Sequence, residues 1–454
     1  MHDNFTPLLE LVENRQLRLL KQELGGMNEV DIAGFLDELS AEQMLLVFRL
    51  LPKELAAEVF ACLEDRDDQQ KLIQALSDRE LRDVLDELFL DDTVDLIEDM
   101  PANVVPRILG NCDPSTRSQI NQLLNYPKDS AGSIMTTEFV SLRPEDTVAQ
   151  AFARIRKEGV DKETVYTCYV TRSRVLLGVV TVRRMLLSDQ QTAIGDIMQT
   201  NVLSVTTMED REEVAQLFSK YDLTALPVVD GDGRLVGIIT VDDAMDVLEE
   251  ETTEDIEKMA AILPGDKPYL KTGVWETWRA RLPWLMLLML SATFTGLILT
   301  GFESALASCV VLTCFIPMLT GTGGNSGSQS SVAVIRALSL GEIGFSHLGR
   351  VLWKELRVAA LCGVCLGGAN FIKMMLVDRW LMSNPEVTAA VAWVVCLTLA
   401  ATVLCAKAVG CLLPLAADKL GIDPAVMASP FITTVVDALS LLIYFGVATS
   451  LLDL

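Results

Sequence analysis

Pro317-Met-Leu-Thr-Gly-Thr-Gly-Gly-Asn-Ser-Gly-Ser-Gln329 is the stretch on which the architecture turns. It sits within Ser304–Ile335, 32 consecutive residues without a charge. Four glycines fall in seven residues, 321 to 327. A regular helix is not expected here, because each Gly costs about 1 kcal/mol against Ala and a proline removes a ladder bond. Backbone released at membrane depth is tolerated only where it is buried in protein or faces water. Freed carbonyls together with the Asn325 and Gln329 amides would then make a set of oxygen ligands. The alternative is a close helix–helix contact of the small-xxx-small kind, although such a contact has no need of two amides.

On either side lie further apolar runs. Leu282–Phe302, Val358 to about Val377, Val387 to about Ala417 and Pro424–Leu452 each approach or exceed the length needed to cross a bilayer, roughly 20 residues. With Ser304–Ile335 they predict five membrane helices. Lys267, Lys271, Arg279 and Arg281 precede the first run, and Arg336, Arg350, Lys354 and Arg357 follow the second. The positive-inside rule therefore puts the amino-terminal half in the cytoplasm. Trp275, Trp278 and Trp284 stand where interface anchors would.

One acid lies deep in the last run. Asp437 has 13 uncharged residues before it and 15 after. A carboxylate at such a depth costs about 3 kcal/mol even on permissive scales, so it reads as functional. No Lys or Arg shares its run, which makes a bound cation its natural partner, with Thr433 and Thr434 one turn earlier as further oxygens. Oxygen ligands with hardly any His or thiol indicate a hard cation, and hydrated Mg²⁺ suits one carboxylate surrounded by amides and carbonyls.

The net charge of −25 is unevenly placed. Residues 271–454 hold 11 of the 37 Lys/Arg and 10 of the 62 Asp/Glu, leaving 26 and 52 in residues 1–270. Such an acidic half excludes nucleic acid as a partner, since a polyanion needs a basic face, and favours cations. Most of these acids are expected to be solvated helix surface. Two groups are denser. Asp91 and Asp95 share a helix face at i, i+4 and repel unless a cation intervenes. Nine carboxylates fall between Asp242 and Glu257, with Asp243, Asp246 and Glu250 on one face.

Residues 5–130 show helical periodicity throughout, with apolar residues at i, i+3, i+4 and i+7. Leu-rich phrases such as Asp31-Ile-Ala-Gly-Phe-Leu and Asp83-Val-Leu-Asp-Glu-Leu are punctuated by Pro52, Pro101, Pro106 and Pro114, which predicts a small helical superhelix. Residues 131–250 contain a repeat. Gly132-Ser-Ile-Met-Thr-Thr returns 63 residues later as Gly195-Asp-Ile-Met-Gln-Thr, and Leu177-Gly-Val-Val-Thr-Val as Val236-Gly-Ile-Ile-Thr-Val. Each unit predicts strand, helix, strand, turn, strand, helix, and Asp230-Gly-Asp-Gly is a hairpin signal in the second.

Of the ten cysteines, seven lie in or beside apolar runs, where Cys362-Gly-Val-Cys365 reads as packing rather than chemistry. The sparse remainder, Cys62, Cys112 and Cys168, fits a reducing compartment. Two histidines make an imidazole metal site improbable on composition alone. There is neither a nucleophile–base constellation nor a Walker loop, so neither an enzyme nor an ATP-driven pump is expected.

The repeated phrases resemble a tandem pair of CBS domains. In nucleotide-binding CBS units a Thr-x-x-Asp opens the last helix, and Thr240-Val-Asp-Asp243 fits that pattern while Thr181-Val-Arg-Arg184 lacks the acid. The competing reading of Thr240 and Asp243 is a helix cap. The whole order of parts resembles the MgtE-type magnesium channel/transporters. The motifs that carry the resemblance are Pro317 through Gln329 and Ser429-Pro-Phe-Ile-Thr-Thr-Val-Val-Asp437. It implies a multi-domain membrane protein: an all-α superhelical N domain (5–130), an α/β CBS pair (131–194 and 195–252), a connecting plug helix (253–280, its core about Thr253 to Thr277) and an all-α pore domain of five helices (281–454).

The resemblance further implies a homodimer in the plasma membrane (inner membrane) with Asp437 and Asn325 at the pore and Mg²⁺ as substrate and regulator; ATP is the ligand of the CBS pair only on the nucleotide reading of Thr240 and Asp243, not on the cap reading. The sensor carboxylates it implies are Asp91, Asp95, Asp210, Glu212, Asp222, Asp243, Asp246, Glu250, Glu251, Glu254 and Asp255, with Asp423 facing the plug. Ser328 and Val332 depart from relatives that carry Asn and Thr there, which affects pore hydration rather than the role of Asp437. The implied mechanism is electrostatic: sensor acids repel and open the pore at low Mg²⁺, and bound Mg²⁺ draws them together and closes it. A carrier of Co²⁺ or Mn²⁺, or a non-conducting CBS sensor in the membrane, are the other readings.

Overall fold

A computed structural model describes residues 5–452 apart from 64, 266, 268 and 428. The chain divides into two compact units, Met1–Glu249 and Glu250–Leu454.

The first unit begins with ten helices of seven to ten residues, from Thr6–Glu13 to Pro114–Leu123. Their starts are written locally. Asn28, Asp65, Ser77 and Asp113 accept hydrogen bonds from first-turn amides, Pro52 is the N-cap of Lys53–Ala61, and Pro114 opens the tenth helix where a missing N–H costs nothing. One of these helices, Leu90–Asp99, is called α1. The repeat folds as expected. In one half β1 (Phe139–Leu142) runs parallel to β2 (Thr164–Arg172), which pairs antiparallel with β3 (Val175–Thr181). In the other, β4 (Val205–Thr206), β5 (Ala225–Val229) and β6 (Leu235–Thr240) repeat that order. Gly237 and Gly178 have no room for a side chain: a Cβ would lie 2.7 Å from the Met135 sulfur in one and 2.6 Å from the Gln199 carbonyl in the other. This is why the Gly-Ile-Ile and Gly-Val-Val phrases recur. A single apolar core joins the ten-helix segment to the second repeat, from Leu20 and Phe35 through Ile97 and Ile120 to Phe218, Ile239 and Val247.

From β6 the helix α2 (Val241–Met259) runs on without a break at 252. The single connecting helix expected over 253–280 is not formed. The chain turns at Ala261 (φ +56°), passes Pro264 and Gly265, and becomes helical again only at Val274 after Gly273. Proline and glycine end a helix more cheaply than they continue it.

The remaining helices are α3 (Val274–Gly301), α4 (Ile316–Ser339), α5 (Leu348–Lys373, continued by a π-helical turn to Leu381), α6 (Ala389–Lys419) and α7 (Ser429–Leu452). The run Ser304–Ile335 is therefore not interrupted at its Gly-rich stretch but before Ile316. Glu303–Ser308 and a 3₁₀ turn, Val310–Phe315, precede α4, and Pro317 lies in its first turn rather than breaking its ladder. Helix α4 continues through all four glycines. The destabilisation is offset by packing: a Cβ at Gly323 would lie 2.7 Å from Thr402, one at Gly324 3.0 Å from Thr433 and one at Gly327 2.8 Å from Ile432. The small-residue contact, not an unwound loop, explains Gly323, Gly324 and Gly327; Gly321 has nothing within 4 Å of its missing Cβ.

Among the described residues four helical segments are long and apolar enough to cross a membrane: Val274–Gly301, Phe345–Leu381, Ala389–Lys419 and Pro424–Leu452. The fifth expected span, α4, is 24 residues long but is diluted by its Gly/Ser run. Helix α3 has no buried residue and meets α7 through Ser291 Oγ, which donates to Thr434 Oγ1 at 3.4 Å.

Candidate cation sites

The acid on α1 is not solvated surface. Asp91 is 9 % exposed, and one carboxylate oxygen from each of Asp91, Glu138 and Glu163 lies within 4.8 Å of the others. Their placement follows from the fold. Asp91 is in the first turn of α1, Glu138 directly precedes β1, and Glu163 directly precedes β2, the parallel neighbour of β1. Glu138 also accepts the Leu90 N–H at 3.3 Å, tying that carboxylate to the start of α1. Asp91 Oδ1 and Glu163 Oε2 are buried and accept no hydrogen bond.

Buried like charges without donors hold on to protons. Burial, then the charges of Asp91 and Asp243, pushes Glu163 up to about 8. Burial, then Asp243 and Asp242, pushes Asp92 up to about 6. Asp91 and Asp243 are both raised, by burial first and then by a neighbouring acid, Asp92 for Asp91 and Asp91 for Asp243. An octahedral Mg²⁺ holds oxygens about 3 Å apart when adjacent and about 4.2 Å when opposite. Three carboxylates within 4.8 Å therefore fit such an ion with small side-chain movement.

The structure brings some of the expected sensor residues together and separates others. Asp91 and Asp243 share one field, and Asp246 acts on Asp92 in it. Asp95, the i+4 partner of Asp91, is exposed. Thr240 Oγ1 donates to Asp243 Oδ2 at 2.6 Å, so these two form the opening turn of α2 as a cap does. Asp210 caps Arg211–Tyr221 by accepting the Glu212 N–H at 2.9 Å, Glu212 accepts from Gln216 Nε2 at 3.2 Å, and Asp222 ends that helix in the left-handed region at φ +53°. Asp92 and Asp242, members of the two dense acid groups, join this field, while nothing in the sequence singles out Glu138 and Glu163. Glu138 and Glu163 lie 47 and 72 positions from Asp91, and only strand pairing puts them beside it.

The distal part of α2 makes another set. Lys258 Nζ donates to Asp423 Oδ2 at 2.7 Å and pairs with Glu254 at 2.6 Å, while Ser339 Oγ donates to Asp255 Oδ2 at 3.0 Å. Asp423 thus faces this segment as expected, through a lysine. Burial works to lower the Lys258 pKa, but the bonds to Asp423 and Glu254 outweigh it and the net shift is upward. Asp255 is raised, by burial first. Glu250 and Glu251, one turn earlier, are exposed and half-buried respectively.

Within the membrane helices, Asp437 is half-buried on α7, one residue after Val436, which packs against Gly323 and Gly327 of α4. Asn325 and Gln329, one turn apart on α4, are exposed on the side away from the glycine contacts. Thr433 and Thr434 spend their hydroxyl protons on the Pro430 carbonyl, at 2.9 and 3.1 Å, so toward a cation they offer lone pairs.

Comparison with known proteins agrees with each part. Residues 27–129 match the MgtE intracellular N domain, 131–188 and 194–250 match CBS domains, and 316–447 match the family described as divalent cation transporter. The chain is 38 % identical to the magnesium transporter MgtE of Thermus thermophilus over 451 residues, covering 98 % of each, and 32 % identical to that of Bacillus subtilis, covering 92 % of this chain and 94 % of the other. A crystal structure of the cytosolic domain of the Mg²⁺ channel MgtE in complex with ATP is similar with a TM-score of 0.51 and 38 % identity, over 53 % of this chain and 98 % of the other. A cytosolic helical domain, a CBS pair and an apolar helical region, matched along nearly their whole length, make this chain a member of the MgtE family.

Proposed function

We propose that this chain carries Mg²⁺ across the cell membrane and that cytoplasmic Mg²⁺ bound between its helical domain and its CBS pair turns transport off. The near full-length relationship to magnesium transporters supports the substrate. The single observation that carries the regulation is the Asp91–Glu138–Glu163 cluster, with two buried oxygens that lack donors. Without a cation these acids repel or retain protons, which loosens the helical domain from the CBS pair. With Mg²⁺ between them they hold the two together.

In the membrane, Asp437 and the Asn325–Gln329 face belong to adjoining helices and supply oxygen ligands for a hydrated ion, and a homodimer would present two such sets about an axis. Ser328, in the Gly-rich run, leaves a hydroxyl where an amide would reach further. ATP is a second ligand carried over from the solved relative. The Thr240–Asp243 turn supports it less than it supports a cation, because phosphates there would meet Asp242, Asp91 and Glu163.

The test is Mg²⁺ influx into proteoliposomes while Mg²⁺ on the cytoplasmic face is varied. Asp437→Ala should lose influx while the soluble unit stays folded. Asp91→Asn with Asp246→Asn should keep influx at Mg²⁺ concentrations that silence the wild type. Wild-type influx in Asp437→Ala removes the pore assignment, and full inhibition in the double variant removes the sensor.

A further inference from the structure

Inside the membrane helices a buried ammonium faces a largely buried carboxylate. Lys407, on α6, is 4 % exposed; its Nζ lies 3.8 Å from Glu355 Oε2 on α5 and donates to Ser330 Oγ on α4 at 3.1 Å. Ser330 in turn donates to Glu355 Oε2 at 2.6 Å. The roles are compatible, since a hydroxyl has one proton to give and lone pairs to receive. Three helices thus meet at one charged point within largely apolar segments. An ionisable residue so placed is costly, and stranding either partner costs more than keeping the pair.

Directly beside this point the backbones of α4 and α6 touch. A Cβ on Gly410 would fall 2.3 Å from the Gly327 carbonyl oxygen, and one on Gly327 would fall 3.2 Å from the Ala406 carbonyl. Glycine contacts set how closely two helices approach but offer no side chain to resist sliding or rotation. The hydrogen bonds of Ser330 are directional and do resist it. They act from the buried side of the same helix that displays Asn325 and Gln329 on its exposed side.

We propose that Lys407, Ser330 and Glu355 form a charge-neutral positioning clamp that holds α4 in register against α5 and α6, and so sets which divalent cations pass its Asn325–Gln329 face. The effect on cation choice rests on the reading of α4 as path-lining; the pairing itself does not. Glu355 and Lys407 touch no transported ion in this scheme. They act through the position of α4.

The experiment uses the full-length protein in proteoliposomes and measures influx of Mg²⁺ and of Co²⁺. Lys407→Met and Glu355→Gln each strand a buried charge, and each should lower Mg²⁺ influx at least tenfold. The double variant should recover to within about threefold of wild type. Ser330→Ala keeps both charges, should fold even where Lys407→Met does not, and should change the Mg²⁺:Co²⁺ influx ratio at least threefold, a readout that lost stability alone does not move. Asn325→Ala is run beside it. If Asn325→Ala shifts the ratio and Ser330→Ala leaves it at the wild-type value, the clamp is overturned and the path reading stands. If neither shifts it, the path reading has failed, and the pair is judged by rescue: a double variant no better than the single ones overturns it.

Discussion

Replacing Glu163 by Gln removes one charge from the sensor cluster while keeping its shape. In the folded unit Glu163 and Asp91 have carboxylate oxygens no more than 4.8 Å apart. At an effective dielectric constant of about 20, two unit charges at that separation repel by about 3.5 kcal/mol. Held up to about 8, Glu163 is mostly protonated at pH 7 in the folded unit but ionised when unfolded, so Gln removes the cost of that proton uptake, about 2 kcal/mol without Mg²⁺ once partial solvent exposure is allowed for. All six tryptophans lie at or beyond residue 275, so fluorescence does not report on this site. Amide hydrogen exchange in α1 and around β1 and β2 does, because it reads local opening.

Without Mg²⁺, Glu163→Gln should slow exchange there by about thirtyfold relative to wild type, the equivalent of 2 kcal/mol at 1.36 kcal/mol per decade. With Mg²⁺ at a hundred times its dissociation constant, the wild type should gain about 2.7 kcal/mol, close to a hundredfold slowing. The variant, having lost a ligand, should gain less than tenfold at the same concentration. Exchange in the Mg²⁺-free variant as fast as in wild type, together with an undiminished response to Mg²⁺, would refute the cluster as a cation site.

Two further outcomes follow from the same geometry. Carboxyl groups whose folded pKa is raised bind more protons folded than unfolded, so stability is greatest below their unfolded values and is lost as pH climbs through the folded ones. With Asp92 at about 6 and Glu163 at about 8, the Mg²⁺-free first unit should become steadily easier to denature between pH 5 and pH 8, and saturating Mg²⁺ should flatten that slope; urea midpoints across the range check it. Gly410→Val should destabilise the helical unit by about 1–3 kcal/mol or more, because its side chain would meet the Gly327 carbonyl, and should reduce correctly folded protein in detergent size exclusion. Gly368→Ala on α5, where nothing lies within 4 Å, is the control expected to behave as wild type.

The order of domains was legible along the chain because each part announces itself through local spacing. Apolar residues at helical intervals, the 63-residue repeat, the uncharged runs and the lone Asp437 are all patterns of near neighbours. The charge imbalance pointed to cations for the same reason, and Asp91 and Asp243 were found because dense acids are visible in a string of letters. Where local rules met tertiary packing, they misled. Four glycines and a proline predicted a broken span, yet α4 is continuous, and Thr402, Thr433 and Ile432 occupy the space that side chains on Gly323, Gly324 and Gly327 would have filled. Pro264, Gly265 and Gly273 did end the helix that the resemblance carried through to residue 280.

The sequence by itself thus determined what the parts are, where helices start and which half bears charge, since these depend on residues within a few positions of one another. Only the tertiary structure decided which charges meet. Glu138 and Glu163 reach Asp91 because two parallel strands start beside one helix, and Lys407 finds Glu355 and Ser330 across three helices separated by 52 and 77 positions. No periodicity records such encounters. They come from the burial of apolar faces elsewhere, and the polar groups carried along must be satisfied at the places where that packing leaves them.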